Sequence, residues 1–309
     1  MHDLVIIGAG PAGITASIYA ARKKMDFFVL TGDVGGQTLW TRDIENYTGF
    51  QLISGTELVK RFKEHMDQFQ VPVKENEKVL ALVHDNDGVK ITTNKGDYAA
   101  HTAIIATGRT HRKLSVEGEE AFRGRGVAYC ATCDAPLFGG MDVAVVGGGN
   151  SALDATLQLI RIANKVTLID TAKELRADPV MVEKAMESGK VTYYPSSAVQ
   201  RIFGDKFVKG IIVKRGDGSL QDLVVRGVFV GIGTVAASEF VHGIFKNIDG
   251  EIIVNCGCET NIPGVFAAGD VTNVPAKQIV VASGEGAKAT LSAFHYVSRK
   301  LRTTQPRAT

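Results

Sequence analysis

Two cysteines two residues apart, in the stretch Cys130-Ala131-Thr132-Cys133-Asp134, are the residues of this chain best suited to moving electrons. Such a pair closes a small disulfide or opens to a dithiol, and in a cytosolic protein it is redox-active or half of a metal site. It lies between two glycine-rich nucleotide signatures, one opening at Gly8 and the other at Gly147. A nucleotide-borne electron carrier on each side would supply the electrons, so the expected chemistry is a path from nucleotide to disulfide. The other two cysteines, Cys256 and Cys258, are separated by one residue, whereas zinc ligands of knuckle type are spaced by about two to four. A four-thiolate zinc site is therefore the disfavoured alternative. No metal site is expected, and the second pair is read as packing.

The elements that must position this chemistry begin at the first signature. Leu4-Val5-Ile6-Ile7 is a continuous apolar run, the pattern of a buried parallel strand. Gly8-Ala9-Gly10-Pro11-Ala12-Gly13 follows, then an Ala-rich helical stretch to about Lys24, then the apolar run Phe27-Phe28-Val29-Leu30. In this strand-helix-strand unit Gly8 makes the tight turn, Gly10 lets a pyrophosphate approach the backbone, and Gly13 allows close helix-strand packing. The helix N-terminus faces the phosphates. The acid expected at the end of the second strand is missing: Thr31-Gly32 stands there, and Asp33 is read as a solvated residue past the turn.

Gly35-Gly36-Gln37 and Glu45-Asn46-Tyr47-Thr48-Gly49 add glycines for close approach and the amides of Gln37 and Asn46 for hydrogen bonding. Residues 55–70 pattern as an amphipathic helix, and 78–106 as short strands with a turn at Asn86-Asp87-Gly88. Ala103-Ile104-Ile105-Ala106-Thr107-Gly108 reads as a strand leaving the first domain.

The second signature repeats the first. Val143-Ala144-Val145-Val146 runs into Gly147-Gly148-Gly149-Asn150-Ser151-Ala152, a GxGxxA with Ala152 in the third small position, and a helix extends through about Ile160. The next strand, Val166-Thr167-Leu168-Ile169, ends at Asp170, 23 residues beyond Gly147. A carboxylate there accepts hydrogen bonds from ribose hydroxyls and repels a 2′-phosphate, and Thr171 and Ala172 bring no compensating arginine. NADH is thus expected over NADPH, with Arg176 as a partial offset. Residues 191–230 read as β-rich, with a turn at 215–218 and a strand at 227–230. Gly264-Val265-Phe266-Ala267-Ala268-Gly269-Asp270 is a strand ending in Gly-Asp, and Lys277-Gln278-Ile279 precedes a small-residue helix around 284–289. Residues 302–309 are polar and expected to fray.

Composition limits the alternatives. The 309 residues are 45% apolar with a net charge of +2, from 35 basic and 33 acidic residues, enough for two folded domains. No basic stripe suggests nucleic acid. No run of about 18 apolar residues is present and no charged-then-apolar leader is read before the first strand, so a cytoplasmic protein is expected.

In combination, GAGPAG at 8–13, GGQ at 35–37, ATG at 106–108, CATCD at 130–134, GGGNSA at 147–152 and GVFAAGD at 264–270 resemble the low-molecular-weight thioredoxin reductases. The resemblance runs from Asp3 to about Arg299 and extends to the flavoprotein part of the alkyl hydroperoxide reductase reductase subunit. It implies an α/β fold of two Rossmann-like three-layer ββα nucleotide-binding domains, the second inserted in the first. Residues 1–113 and 242–309 would bind FAD, and 114–241 would bind the pyridine nucleotide and carry the cysteines.

By the same resemblance FAD would meet Gly8, Gly10, Pro11, Ala12 and Gly13 at the first loop, Gly36, Gln37 and Asn46 beyond it, and Val79, Ala106, Thr107 and Gly108 further on. Gly269, Asp270, Lys277, Gln278 and Ile279 would complete that site. NADH would meet Gly147, Gly149, Asn150, Ser151, Ala152, Asp170 and Arg176. Cys133 would face the flavin, Cys130 would attack the partner's disulfide, and Asp134 would manage the thiol protons. A homodimer, a rotation of one domain against the other, and a thioredoxin or thioredoxin-like partner are also implied.

Departures from the pattern carry information. NADPH-dependent thioredoxin reductases have a His-Arg-Arg run where this chain has Asp170-Thr171-Ala172. The hydroperoxide reductase subunit, which prefers NADH, carries a thioredoxin-like module that is not seen here, so a separate small protein is expected to take the electrons. Ala135 replaces a glycine after the acid/base aspartate. The function implied is an NADH-preferring thioredoxin-disulfide reductase. The alternatives are the same fold fed by ferredoxin or another donor, or an NADH-dependent reductase serving a peroxiredoxin or glutaredoxin-like partner.

Overall fold

The computed structural model describes residues 1–40, 44–85 and 87–304, with the backbone alone at residues 40, 132, 133 and 301–304. The chain opens with β1 (His2–Ala9), α1 (Pro11–Arg22) and β2 (Phe27–Val34), then a 3₁₀ turn at Gly36–Trp40 and α2 (Gly55–Gln68). It continues through β3 (Val73–Lys74), β4 (Val79–His84), β5 (Val89–Thr93), β6 (Asp97–Ile105), β7 (Arg109–His111) and β8 (Val127–Ala128). Next come the short α3 (Ala131–Asp134), β9 (Asp142–Val146), α4 (Asn150–Leu159), β10 (Lys165–Ile169) and α5 (Pro179–Glu187). The strands β11 (Val191–Tyr194), β12 (Ala198–Gly204), β13 (Val208–Lys214), β14 (Leu220–Leu223) and β15 (Gly227–Val230) follow. Last are β16 (Thr234–Ala236), β17 (Val265–Ala267) and α6 (Ile279–Thr304).

These elements form two compact units, Met1–Thr110 with Val235–Thr309, and His111–Thr234. The chain returns to the first unit at 235 rather than 242 because Ala236 and Val241 pack into that unit's core beside Leu82 and Ile252.

In the first unit the sheet order is β3-β2-β1-β6-β5-β4, with β17 also pairing β6. Strand β1 lies parallel to β2 (Leu4↔Phe27, Ile7↔Leu30) and to β6 (Leu4↔Thr102, Ile7↔Ile105). Its continuous apolar run has a simple cause: both faces are buried. Leu4 and Ile6 enter the core shared with α1 and α6, whereas Val5 and Ile7 enter the opposite core with Val89, Ile91 and Val241. Small residues let α1 and α6 approach closely. A Cβ on Gly286 would lie 2.0 Å from the Ala12 carbonyl oxygen, and Thr290 donates to the Ala16 carbonyl at 3.1 Å.

The second unit repeats the logic around a five-stranded sheet, β11-β10-β9-β15-β8, and a three-stranded antiparallel sheet, β12-β13-β14. Val143 and Val145 face α4 and α5, and Ala144 and Val146 face the cluster that includes Ile202, Ile211 and Val213. The chain is therefore α/β, with two nucleotide-fold units and the second inserted in the first.

Three local expectations need correction. Strand β2 continues to Val34, so Asp33 lies on the strand rather than past a turn. The backbone of Ala9 holds it there, pairing with Val34 and accepting from the Gly35 N–H. Helix α6 begins at Ile279, well before the small-residue stretch, and continues to Thr304, into the segment expected to fray; residues 305–309 lie outside the described residues, as does Asn86 of the expected hairpin turn. No helix among the described residues is long and apolar enough to cross a membrane.

Candidate functional site

Each unit opens a cleft at the C-terminal edge of its parallel strands, where such folds bind ligands. The two helices that begin there differ from α2 and α5 at their starts. α2 is capped by Ser54, whose Oγ accepts from the Glu57 N–H at 3.2 Å, and α5 by Asp178, which accepts from the Val180 N–H at 2.9 Å. By contrast, α1 starts at Gly10 and α4 at Gly149, and neither has a side-chain cap. Their first N–H groups are left for a ligand, on the positive end of the helix dipole.

In the first unit the cleft measures about 1030 Å³. Gly8 has φ +105°, and a Cβ there would lie 2.3 Å from the Ala106 carbonyl oxygen, so only glycine makes this turn. A Cβ on Gly10 would meet nothing within 4 Å: the loop is open on the cleft side. Gly10, Pro11, Ala12, Gly36, Gln37, Asn46, Val79, Ala106, Thr107, Gly108, Gly269, Asp270, Lys277, Gln278 and Ile279 all line this cleft with Gly8. Gly13 does not. It sits behind the loop, where a Cβ would fall 1.8 Å from the Gly8 carbonyl oxygen. Its part is to bring helix and loop together, as the fingerprint requires of its third glycine.

Hydrogen bonds fix much of the wall. Gln37 donates to the Arg109 carbonyl at 2.6 Å, Thr107 to the Ala237 carbonyl at 2.6 Å, and Asn46 to Gln278 Oε1 at 3.0 Å. Burial pushes the Asp270 carboxyl up from its ordinary pKa, against the opposing charges of Lys277 and Arg109. Asp33 also lines the cleft, exposed, at the end of β2. The absent strand-end acid is thus partly replaced by a carboxylate two residues later on the same strand. Arg109 and Thr110 line the cleft without any motif to announce them.

A smaller cleft of about 510 Å³ lies in the second unit, lined by Gly147, Gly149, Asn150, Ser151, Asp170 and Arg176. Ala152 is buried behind the loop and contacts Gly147 and Gly231, the counterpart of Gly13. A Cβ on Gly149 would again meet nothing within 4 Å. Asp170 is only 5% exposed and pairs with the largely exposed Arg176, Nη2 to Oδ2 at 3.4 Å. A Cβ on Gly148 would lie 1.9 Å from that same Oδ2, so the middle glycine makes room for the acid. The Asn150 side chain accepts from the Asp178 N–H at 2.8 Å, tying the loop to the start of α5. Arg112, Thr171 and Gly233 also line this cleft; Arg112 stands outside every motif and was not legible.

Cys130 is disulfide-bonded and immediately precedes α3, whose last residue Asp134 donates its N–H to the Cys130 carbonyl at 3.1 Å. The Cys133 side chain lies outside the described residues. Burial raises the pKa of Asp134 above the usual carboxylate value, the shift that keeps a proton available nearer neutrality. Ala135 packs buried in the unit's core.

Cys256 and Cys258 are free thiols and do not behave alike. Cys258 is buried in the core beside α6, and burial pushes its pKa up to about 11. Cys256 is exposed, so its reading as packing is corrected: the left-handed turn at Cys258 (φ 64°) leaves one side chain inside and the other outside.

Three comparisons bear on this geometry. The chain is 40% identical over 305 residues to the F subunit of the Escherichia coli alkyl hydroperoxide reductase, covering 96% of this chain and 58% of that protein. It is 38% identical over 299 residues to a Bacillus subtilis NADH dehydrogenase, again covering 96% of this chain and 59% of that protein. The chain thus spans little more than half the length of these relatives. The crystal structure of Lactococcus lactis thioredoxin reductase superposes with a TM-score of 0.84 at 36% identity, covering 97% of this chain and 100% of that one. Residues 2–286 match the pyridine nucleotide-disulphide oxidoreductase family, and the chain belongs to that family.

Proposed function

We propose that this protein is an NADH-preferring thioredoxin-disulfide reductase. It would carry electrons through FAD and a Cys130–Cys133 disulfide to a small thioredoxin-like protein. The observation that carries the reading is the pairing of two uncapped glycine-loop helices, one in each unit, with a disulfide-bonded Cys130 in the second. The first cleft has the volume and open glycine for a dinucleotide such as FAD, held by Gly8, Gly10, Ala12, Gln37, Asn46, Asp270, Lys277, Gln278 and Ile279. FAD, when bound, passes two electrons from a nicotinamide to a disulfide.

The second cleft takes the pyridine nucleotide, with its phosphates at Gly149–Ser151 and its adenosine ribose at Asp170. Asp170, held by Arg176, has the sign and position to accept ribose hydroxyls and disfavour a 2′-phosphate. The names of the relatives agree with NADH in one case and with thioredoxin in another. Once reduced, the pair works by exchange. The Cys130 thiolate attacks a sulfur of the partner's disulfide, forming a mixed disulfide and releasing the partner's other thiolate. Cys133 then attacks the Cys130 sulfur, re-forms the internal disulfide and frees the reduced partner. Asp134 handles the protons that the thiols lose and gain. A homodimer in the cytoplasm completes the proposal.

The test is anaerobic titration of the purified protein with NADH and, separately, NADPH, following flavin absorbance. Bleaching at lower NADH than NADPH is the expected result. Bleaching by NADPH alone would overturn the specificity. A flavoprotein that neither nucleotide bleaches would point to ferredoxin or another donor.

A further inference from the structure

The cleft of the first unit has a direction. β2 lies on one side of β1, and β6 with β17 on the other. A dinucleotide whose pyrophosphate sits on the Gly8–Gly13 loop places its adenosine toward the end of β2. Its other half must then lie toward the ends of β6 and β17, where Arg109, Asp270 and Lys277 line the wall.

Behind that wall lies a carboxylate that no motif announces. Glu251 is 13% exposed at its side chain and accepts from Arg109 Nη1 at 2.6 Å and Lys277 Nζ at 3.0 Å, both on Oε1. Asn247 Nδ2 donates to its other oxygen at 2.7 Å, and the Glu251 N–H donates to Asn247 Oδ1 at 2.9 Å. The carboxylate therefore cannot turn without breaking several bonds. Lys277 is held a second time, by the Thr272 carbonyl. Arg109 is also fixed at its backbone, which accepts from Gln37.

We propose that Glu251 is a positioning residue that holds the Lys277 and Arg109 cations at the flavin end of the cleft and sets the flavin's reduction potential through them; this rests on reading the cleft as a FAD site. Arg109, Lys277 and Asp270 line the cleft wall and Glu251 stands behind it, so the wall carries two cations against one carboxylate and the second carboxylate is the counter-charge behind. Fixed positive charge in a sheltered site favours the added charge that a flavin gains on reduction. The counter-charge behind the wall moderates that effect. Burial alone would raise the pKa of Glu251, but hydrogen bonds from Lys277 and Asn247 and the charge of Lys277 outweigh it and hold the carboxyl below its ordinary value.

Glu251→Gln keeps an oxygen acceptor for both cations and removes the negative charge. Lys277→Gln removes a cation from the wall. The experiment measures the flavin midpoint potential of the purified holoprotein and both variants by equilibration against a reference dye. Glu251→Gln should raise the reduced-to-oxidised flavin ratio at fixed potential about tenfold, about 30 mV for a two-electron couple, and Lys277→Gln should lower it. In the Lys277→Gln background the added Glu251→Gln change should raise the ratio by less than it does in the wild type, since Glu251 acts in part through Lys277. A merely structural role would change flavin retention without shifts of opposite sign. A flavin-containing Glu251→Gln protein at the wild-type potential overturns the inference alone, as does a Lys277→Gln protein with an unchanged or raised potential. Wild-type protein that holds no flavin overturns the cofactor reading and this inference with it.

Discussion

At the residue scale, environment separates groups that the sequence presents alike. Asp134 and Asp170 are both single carboxylates at the edge of an element. Asp134 is raised by burial, whereas Asp170 is closed in by Gly148 and answered by Arg176. The spacing from Gly147 made Asp170 legible, because the fingerprint fixes where a strand-end acid must fall. Arg176 was legible as a partial offset to that charge, but the direct contact between the two was not, because the loop that sets it has no periodicity. A raised Asp134 holds its proton to higher pH than an ordinary carboxylate, and the protonated form is lost as pH rises through the raised value. If Asp134 supplies that proton during exchange, turnover with a protein disulfide should decline across the same window. Asp134→Asn should flatten that limb and lower turnover roughly 100-fold, while NADH still bleaches the flavin at the wild-type rate. Steady-state rates against pH, set beside anaerobic stopped-flow bleaching, check both halves; equal loss in the two assays would remove Asp134 from the exchange step.

At the element scale, the strand-loop-helix units are legible nearly as they stand. The apolar runs of four residues lie in β1 and β9, buried on both faces, and the glycine spacing locates the starts of α1 and α4. Less visible are features set by tertiary contact. Helix α6 begins at Ile279 because the preceding residues are tied into the cleft wall, through Gln278 to Asn46 and Lys277 to Glu251. Neither tie has a local signature. The packing glycine of α1 gives a sharp test of this scale. A Cβ at Gly13 would sit 1.8 Å from the Gly8 carbonyl oxygen, which is backbone and cannot swing aside. Gly13→Ala should therefore push α1 off β1, destabilise the first unit by about 3 kcal/mol, and release flavin. Thermal unfolding with flavin fluorescence measures both together; a variant with unchanged melting and full flavin content would show that the loop adapts more readily than this packing allows.

At the scale of the whole molecule, the question is where the electrons go after the Cys130 turn. The chain has four cysteines, of which Cys130 is disulfide-bonded while Cys256 and Cys258 are free thiols. Cys258 is a poor relay, since burial keeps it protonated and thiolate is the reactive form. No second disulfide stands among the described residues, and the proposed reading sends the electrons to a separate small protein. For the 309-residue chain, NADH oxidation coupled to hydroperoxide removal should require two added proteins, a peroxiredoxin and a small Cys-x-x-Cys carrier. Omitting the carrier should reduce the rate to the background of flavin reoxidation by oxygen, and adding it should restore a saturable rate. NADH consumption, followed with each component left out in turn, reads this directly. If peroxiredoxin alone sustains the full rate, the Cys130 pair docks the peroxidase itself, and the partner is a peroxiredoxin rather than a thioredoxin-like carrier.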